Sequence, residues 1–209
     1  MKRAVIFCGG DMDTDSVWLP EYQEALILCA DGGYRHAERL GIVPDYIIGD
    51  LDSGVEEYPK SVAHKIYPKE KDATDTNLCV DYAIDQGCEE IILLGGLGGR
   101  QDHEFSHYIL LYYGLKRGAR IKLIDGAHEI WMENKPFVLY PDDKKYISFF
   151  PFGGDVHGFT IKGLKYQAEN ICLSCNQVQA SSNQFDGEEQ GEISFQSGGV
   201  ILVMRCKDI

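Results

Sequence analysis

The sequence predicts an α/β N-terminal domain built on a parallel sheet, followed by an all-β C-terminal sandwich domain. Two observations carry this prediction. Up to about residue 124, short β-branched runs alternate with amphipathic stretches, an order typical of strand–helix–strand units. From about residue 130 onward there is no helical period, and short alternating runs are separated by turn signals. We therefore expect residues 1–128 to form the first domain and residues 129–209 the second.

Six short apolar runs of the first domain are predicted to be strands. They are Ala4–Cys8, Ala25–Ala30, Tyr46–Ile48, His64–Tyr67, Ile91–Leu94 and Ile121–Ile124. Helical patterns are clearest at Thr74–Gln86 and Phe105–Lys116, and Gly87 and Gly118 follow them as helix stops. A parallel sheet with helices on both faces is Rossmann-like. However, the sequence lacks both the Gly-x-Gly-x-x-Gly dinucleotide fingerprint and the P-loop motif.

The second domain shows six further runs that favour strands. They are Phe137–Tyr140, Tyr146–Phe150, Phe159–Ile161, Asn170–Leu173, Glu192–Phe195 and Val200–Met204. Cys172 and Cys175 in this region are spaced Cys-x-x-Cys, but no second pair completes a zinc site. We expect both to be ordinary buried residues.

The bulk composition narrows the function classes. Hydrophobic residues make up 44% and charged residues 25%, as is usual for soluble globular proteins, and no apolar run is long enough to span a bilayer. The net charge of −13 disfavours a nucleic-acid partner, because such proteins present a basic face. The seven scattered cysteines argue against a disulfide framework and favour a reducing compartment, so we expect a cytoplasmic protein without a membrane partner.

Polar or glycine-rich clusters follow five of the predicted strands, at the edge where parallel α/β sheets collect ligands. The clusters are Cys8–Gly10, Ala30–Gly33, Gly49–Ser53, Lys69–Asp75 and Gly95–His103. Asp50 and Asp52 lie two apart in extended chain, so their carboxylates project to one side and repel each other. A divalent cation that bridges carboxylates and phosphates relieves such repulsion. The pair therefore indicates a metal site.

Asp75 has two interpretations. It can serve as a first-turn acid behind an N-cap at Thr74. Alternatively it joins Asp50, Asp52 and Asp102 at the same sheet edge and binds metal or substrate, and this is the interpretation that we prefer.

The glycine run Gly95–Gly99 is suited to phosphate binding, because it lets backbone amides approach phosphates ahead of a helix. Arg100 strengthens this interpretation, since its planar donor fork fits phosphate oxygens. Lys69 and Lys71 are candidates for the same task.

In this order and spacing, the clusters resemble the thiamine pyrophosphokinase family. The residues that carry the resemblance are Ala30–Gly33, Gly49–Ser53, Lys71-Asp72, Thr74-Asp75, Gly95–Arg100, Asp102-His103, Gly163–Tyr166 and Ser182-Asn183. The resemblance covers nearly the whole chain. It implies transfer of a pyrophosphoryl group from ATP to the thiamine hydroxyl with release of AMP, and a homodimer whose active sites lie at the subunit interface.

The resemblance also implies roles for individual residues. Mg²⁺ is expected on Asp50, Asp52 and Asp75. The expected catalytic residues are Asp52, Asp75, Arg100 and Asp102. The expected nucleotide-binding residues are Asp31, Gly32, Gly33, Lys71, Gly95, Gly96, Gly98, Gly99, Arg100 and His103. The expected thiamine-binding residues are Asp75, Asp102, Tyr166, Ser182 and Asn183.

Three points stay open from the residues alone. Either Asp52 or Asp75 takes the hydroxyl proton. The Asp-x-Asp pair also suits another Mg²⁺-dependent nucleotide hydrolase or a nucleotidyltransferase. A non-catalytic module that binds thiamine or a nucleotide is the third alternative.

Overall fold

The computed structural model describes residues 1–13, 24–50, 58–187 and 190–208. The chain divides into two compact units, Met1–Gly126 and Ala127–Ile209. We predicted a boundary after residue 128, and the two units meet just before that position. Within the described residues, no helix is long and apolar enough to cross a membrane.

The first unit is organised around a parallel sheet. Its strands are β1 Arg3–Phe7, β2 Leu26–Ala30, β3 Tyr46–Gly49, β4 Ala63–Ile66, β5 Glu90–Leu94 and β6 Arg120–Ile124. They lie in the order β4-β3-β2-β1-β5-β6, and neighbouring strands run parallel. Val5 in β1 faces Ile27 on one side and Ile92 on the other. The predicted strands are thus confirmed, with ends that differ by about one residue.

The strand order explains where a ligand can bind. From β1 the chain moves outward through β2, β3 and β4, and it then returns to the other side of β1 to form β5 and β6. Such a reversal opens a crevice at the carboxyl ends of the two strands that flank it. Here those strands are β1 and β5, which lead into Gly9-Gly10 and Gly95-Gly96 respectively.

Three α-helices and one short 3-10 helix accompany this sheet in the described residues: α1 Tyr34–Arg39, α2 Asp75–Asp85, α3 Gln101–Lys116, and the 3-10 helix Asp31–Gly33 directly before α1. Thr74 caps α2, because its hydroxyl oxygen accepts a hydrogen bond from the Asn77 amide at 3.2 Å. The glycine stops are confirmed, since Gly87 and Gly118 adopt φ values of +80° and +82°.

Two features of these helices differ from the prediction. α3 begins before the predicted Phe105, because its first turn is polar and carries Asp102 and Glu104 at the positive end of the helix dipole. α1 was not predicted, since a six-residue helix is too short to show a periodic pattern.

The strands of the second unit pair antiparallel with one another. They are β7 His128–Glu133, β8 Phe137–Leu139, β9 Tyr146–Lys162, β10 Ala168–Leu173, β11 Ala180–Asn183, β12 Gly191–Ser194 and β13 Ser197–Cys206. Strand β9 pairs with β10, β11, β12 and β13. Its inward side chains, among them Ile147, Phe149 and Phe159, form the centre of this unit's hydrophobic core.

Three expectations for the second unit were wrong or incomplete. The runs predicted at Tyr146–Phe150 and Phe159–Ile161 belong to the single strand β9. Strands β7 and β11 were not predicted. Cys172 and Cys175 are exposed rather than buried: Cys172 lies on β10, which pairs only with β9 among the described strands, and Cys175 lies in the turn that follows β10.

Candidate functional site

A cavity of about 570 Å³ lies in the first unit at the carboxyl ends of the parallel strands. The segments that line it follow β1, β2, β3 and β5 or lead into α2 and α3: residues 9–11, 30–32, 50, 69, 71–76, 95–96, 98–100, 103 and 107. The cavity thus sits at the point where the strand order reverses, which is where ligands of open α/β sheets bind.

Most of the predicted site residues of this unit line the cavity. They are Asp31, Gly32, Asp50, Lys71, Asp75, Gly95, Gly96, Gly98, Gly99, Arg100 and His103. Gly33 and Asp102 do not line it, although each is next to a residue that does. Asp52 lies outside the described residues, so the prediction for it is untouched by the structure.

Lys71 joins two of the carboxylates. Its ammonium lies 2.7 Å from Asp50 Oδ2 and 3.1 Å from Asp75 Oδ1, and the three side chains are only 6–18% exposed. Burial alone would lower the pKa of Lys71, but the hydrogen bond to Asp50 and the charges of Asp50 and Asp75 outweigh burial and raise it. The ammonium therefore stays charged and compensates the acidic pair.

One ammonium does not neutralise the whole cluster. Burial raises the pKa of Asp75; Lys71 opposes this rise, and the charges of Asp50 and Asp31 add to it. The contact of Asp75 Oδ1 with Lys71 is short but lacks hydrogen-bond geometry, so this buried oxygen has no hydrogen-bond donor. An excess of buried negative charge and an oxygen without a donor both favour binding of a cation at this point.

The carboxylates fit a hard divalent cation in a specific way. In the described part of the chain, no group of three or more His, Cys, Asp or Glu side chains is arranged to hold a metal ion. Mg²⁺ does not require such a cage, because it is commonly held by one or two carboxylates together with substrate phosphates and water. Asp50 and Asp75 supply two carboxylates at one wall of the cavity.

Asp31 is hydrogen-bonded by Tyr58, a residue for which the sequence indicated no role. Asp31 is 4% exposed and has a φ of +39°, and the buried hydroxyl of Tyr58 donates a hydrogen bond to its Oδ1. Burial, followed by the Asp31 bond and charge, raises the pKa of Tyr58 well above its ordinary value. The tyrosine therefore remains a donor. No sequence motif includes Tyr58, and its position directly before Pro59 suggests only a loop residue.

The glycine loops after β1 and β5 touch each other. The Gly10 amide donates a hydrogen bond to the Gly95 carbonyl oxygen at 3.0 Å. A Cβ on Gly10 would come within 2.6 Å of the same oxygen, so a larger residue does not fit there. The two loops form one continuous wall of backbone next to the acidic cluster.

Arg100 and Asp102 form a forked ion pair at the mouth of this region. The Arg100 Nη2 and Nε atoms lie 2.6 Å and 3.1 Å from the two carboxylate oxygens of Asp102. The side chains are 72% and 66% exposed, and the hydrogen bond from Arg100 lowers the pKa of Asp102. Asp102 is thus paired with Arg100 and does not join Asp50 and Asp75 in the cavity wall.

Two buried histidines contact the glycine loops, and no sequence pattern indicates a role for either. His36 lies 2.8 Å from the Gly10 carbonyl oxygen through its Nε2 atom. His107 lies 2.7 Å from the Gly96 carbonyl oxygen through its Nδ1 atom. A lone histidine in a helical pattern carries no signal for such a contact.

In the second unit, the predicted thiamine-binding residues lie together. Asn183 is 3% exposed; its Oδ1 accepts from the Tyr166 amide at 3.0 Å and its Nδ2 donates to the Tyr166 carbonyl oxygen at 2.7 Å. Ser182 has a φ of +58° and donates its amide to Ser148. Asn183 thus fixes the backbone at Tyr166, whose side chain is 57% exposed.

Comparison with known proteins agrees with these observations. A family model described as "Thiamin pyrophosphokinase, catalytic domain" matches residues 20–123, and one described as "Thiamin pyrophosphokinase, vitamin B1 binding domain" matches residues 133–200. The thiamine pyrophosphokinase of Bacillus subtilis is 34% identical over 175 residues, which cover 80% of this chain and 81% of that protein.

Solved structures show the same relationship. The crystal structure of thiamine pyrophosphokinase from Bacillus subtilis matches with a TM-score of 0.89 at 31% identity over 100% of both chains. The structure of the enzyme from Geobacillus thermodenitrificans matches with a TM-score of 0.84 at 26% identity over 100% of this chain and 98% of that one. The resemblance seen in the sequence motifs is confirmed, and the chain belongs to the thiamine pyrophosphokinase family.

Proposed function

We propose that this protein transfers the pyrophosphoryl group of ATP to the hydroxyl of thiamine, producing thiamine diphosphate and AMP. The observation that carries the proposal is the cavity at the strand-order reversal, where a Lys71-bridged acidic pair lies beside two joined glycine loops. Such a cavity suits a polyphosphate, since backbone amides and cations neutralise phosphate oxygens while carboxylates hold a metal ion. Membership of the family supplies the acceptor.

In this reaction the thiamine hydroxyl oxygen forms a bond to the β-phosphorus of ATP. The bond between that phosphorus and the oxygen bridging to the α-phosphorus breaks, and AMP leaves with the bridging oxygen. Transfer between oxygens depends mainly on in-line positioning and charge neutralisation. Lys71 and Arg100 are the cations of the cavity wall that we assign to the phosphates.

We assign the hydroxyl proton to Asp75 among the described carboxylates, with Asp52 as the alternative that the sequence left open. While no cation is bound to it, burial raises the pKa of Asp75, so in that state its carboxylate is a stronger proton acceptor than an exposed aspartate. Asp50 and Asp75, together with Asp52, are the residues that would hold Mg²⁺. When bound, this ion supplies charge neutralisation to the polyphosphate.

We further propose a division of labour between the units. The first unit would bind nucleotide and carry the catalytic residues, and Asp102 would act there with Arg100. The second unit would be a β-sandwich that binds thiamine through Tyr166, Ser182 and Asn183. Support comes from the contacts that fix the backbone of Tyr166 and from the exposure of this residue. Its ring already receives the Lys165 ammonium at 5.6 Å from the centroid, and a cationic heterocycle would stack on the ring through the same attraction. The homodimer and the cytoplasmic location remain predictions.

Product identification tests the reaction. The protein is incubated with ATP, Mg²⁺ and thiamine, and the products are separated and weighed by mass spectrometry. We expect AMP and thiamine diphosphate in equal amounts. ADP, free phosphate or an adenylated product would instead indicate a hydrolase or a nucleotidyltransferase, and binding without turnover would indicate a non-catalytic module.

Matched substitutions test the acidic cluster. Asp75→Asn should lower turnover by at least about a hundredfold, the scale of a lost proton acceptor or metal ligand. Asp85→Asn makes the same chemical change at the far end of α2, where the side chain is 71% exposed, and should leave turnover unchanged. Asp52→Asn tests the remaining predicted ligand in the same way. Equal turnover in the Asp75 and Asp85 variants would remove Asp75 from the mechanism.

The thiamine site has its own test. Tyr166→Ala should raise the KM for thiamine without changing the KM for ATP. Tyr140→Ala, which removes another exposed tyrosine of the second unit, serves as the control. A change in the KM for ATP alone would contradict the assignment.

Light scattering on the purified protein measures whether the chain is a dimer.

A further inference from the structure

Two histidines contact carbonyl oxygens of the glycine loops and have no role in the proposed chemistry. His36 on α1 and His107 on α3 are each only 6% exposed. Each bonds through a ring nitrogen to the carbonyl oxygen of a glycine that lines the cavity. Burying two titratable rings carries a free-energy cost, so their contacts merit a functional explanation.

The partners of His107 define its tautomer. A carbonyl oxygen only accepts, so the Nδ1 atom, 2.7 Å from the Gly96 oxygen, must carry the proton. The Nε2 atom is then free to accept from the Thr76 hydroxyl at 3.4 Å. Burial is the largest cause of a lowered pKa at His107, so the ring is neutral near pH 7.

His36 has the opposite tautomer. Its Nδ1 atom lies 2.9 Å from Nη2 of Arg39, and a guanidinium only donates, so this nitrogen accepts. The proton therefore sits on Nε2, which donates to the Gly10 carbonyl oxygen at 2.8 Å. Burial lowers the pKa of His36 as well, so this ring is also neutral near pH 7.

Fixing a carbonyl fixes the amide that follows it. The described peptide bonds are trans, and in a planar trans peptide the C=O and N–H point in opposite directions. Because the Gly10 and Gly96 carbonyls point to the histidines, the N–H groups of Asp11 and Leu97 point away from them. The peptides can rotate easily without these bonds, since glycine has little steric preference.

We propose that His36 and His107 are positioning residues that hold the two glycine loops in the peptide orientation that binds nucleotide phosphates. This inference rests on the proposed function, because it assigns the oriented amides to the phosphates of ATP. Each imidazole acts through a glycine carbonyl rather than on the reacting atoms, and His107 in addition lines the cavity. The essential atom is Nε2 at His36 and Nδ1 at His107.

The different essential atoms allow a crossed substitution test. The amide nitrogen of asparagine falls near the position of Nδ1, and that of glutamine near Nε2. His107→Asn and His36→Gln therefore keep the donor, whereas His107→Gln and His36→Asn lose it. Affinity is measured by calorimetry with α,β-methylene-ATP, which binds without transferring its pyrophosphoryl group, and steady-state KM values are measured in parallel.

We expect the two donor-keeping variants to bind the analogue within about twofold of the wild type. The two donor-losing variants should bind about tenfold more weakly, the scale of one lost hydrogen bond. The KM for ATP should rise in step, while the KM for thiamine should not change. Leu111→Val on α3, a buried position one turn from His107, should lower stability without changing affinity for the analogue.

The outcomes separate this inference from the proposed function. If glutamine is tolerated at both positions, or asparagine at both, the rings act through size alone and the inference is overturned. The same holds if all four variants bind alike. If the crossed pattern appears but no thiamine diphosphate forms, the positioning role stands and the proposed reaction fails. A wild type that does not bind the analogue overturns both.

Discussion

Gly49 is a position where one methyl group should damage the site. A Cβ added to Gly49 would lie 2.5 Å from Asp31 Oδ1 and 2.7 Å from Asp31 Cβ, and closer still to the Tyr58 hydroxyl. Gly49→Ala therefore inserts an atom into the hydrogen bond between Tyr58 and Asp31. Asp31 and Tyr58 can approach each other this closely only because residue 49 is a glycine and has no side chain.

The size of the effect follows from two contributions. Overpacking a buried region costs about 1–3 kcal/mol. If the two side chains separate to make room, a hydrogen bond to a charged group is lost, which costs about 1.5–3 kcal/mol. Because either response relieves part of the other, we expect Gly49→Ala to lower the free energy of unfolding by about 2–4 kcal/mol. It should also weaken nucleotide binding, since Asp31 lines the cavity.

Urea unfolding followed by circular dichroism measures this loss. Gly9→Ala is the matched control, because a Cβ there meets its nearest atoms at an ordinary 3.7 Å; we expect a change below about 1 kcal/mol. Tyr58→Phe removes the hydroxyl that lies closest to the new methyl group. The double variant with Gly49→Ala should therefore be more stable than the sum of the single effects by at least about 1 kcal/mol. Simple additivity, or an unchanged Gly49→Ala protein, would refute the reasoning.

Three further predictions concern other groups. Lys71→Met should raise the KM for ATP about tenfold or more, because a charge-assisted contact is lost. Lys69→Met, at an exposed position, should raise it less. Equal effects of the two substitutions on the KM for ATP would argue against a special role for the buried ammonium. A thiol reagent should label Cys172 first in the native protein and Cys175 more slowly, because the hydrogen bond with Asp155 raises the pKa of Cys175. The four buried thiols should react only after unfolding, since burial raises, for example, the pKa of Cys8 to about 12. Burial lowers the pKa of His107 from 6.5; the charge of His103 acts in the same direction, and the Gly96 bond and the charge of Glu104 oppose it. Below about pH 6.5 the unfolded chain therefore binds more protons than the folded chain, and the free energy of unfolding should fall as the pH drops. In urea titrations His107→Asn should make this pH slope shallower by up to about 1.4 kcal/mol per pH unit, and an unchanged slope would mean that another group causes it.

The first unit could be predicted well because its central strands, such as β1 and β5, are nearly continuous apolar runs between polar loops. Parallel strands buried on both faces leave this signal, and the clusters that follow them line the cavity. The order of the strands could not be derived from the runs, because neighbours in a sheet are chosen by tertiary packing. The pairing of Arg100 with Asp102 was also missed, since both residues read equally well as ligands of a substrate.

Other contacts of the first unit were missed because they join distant parts of the chain. Tyr58 contacts Asp31 and His36 contacts Gly10 at sequence separations of 27 and 26 residues, and no local pattern indicates such contacts. Strand β9 was divided at Pro151–Gly154 because proline and glycine usually indicate a turn. In the structure β13 follows β9 through this region with a register shift, and the positive φ values of the two glycines accommodate the irregularity.

The position of β9 has a consequence for how the second unit comes apart. Four of the other strands pair with β9 directly, so none of its ladders can open without exposing the Phe149 and Phe159 side chains that the remaining strands cover. The unit should thus unfold in one cooperative step, and its edge strands should not detach one after another. Amide protons in the middle of β9 should accordingly be among the slowest of this unit to exchange with deuterium.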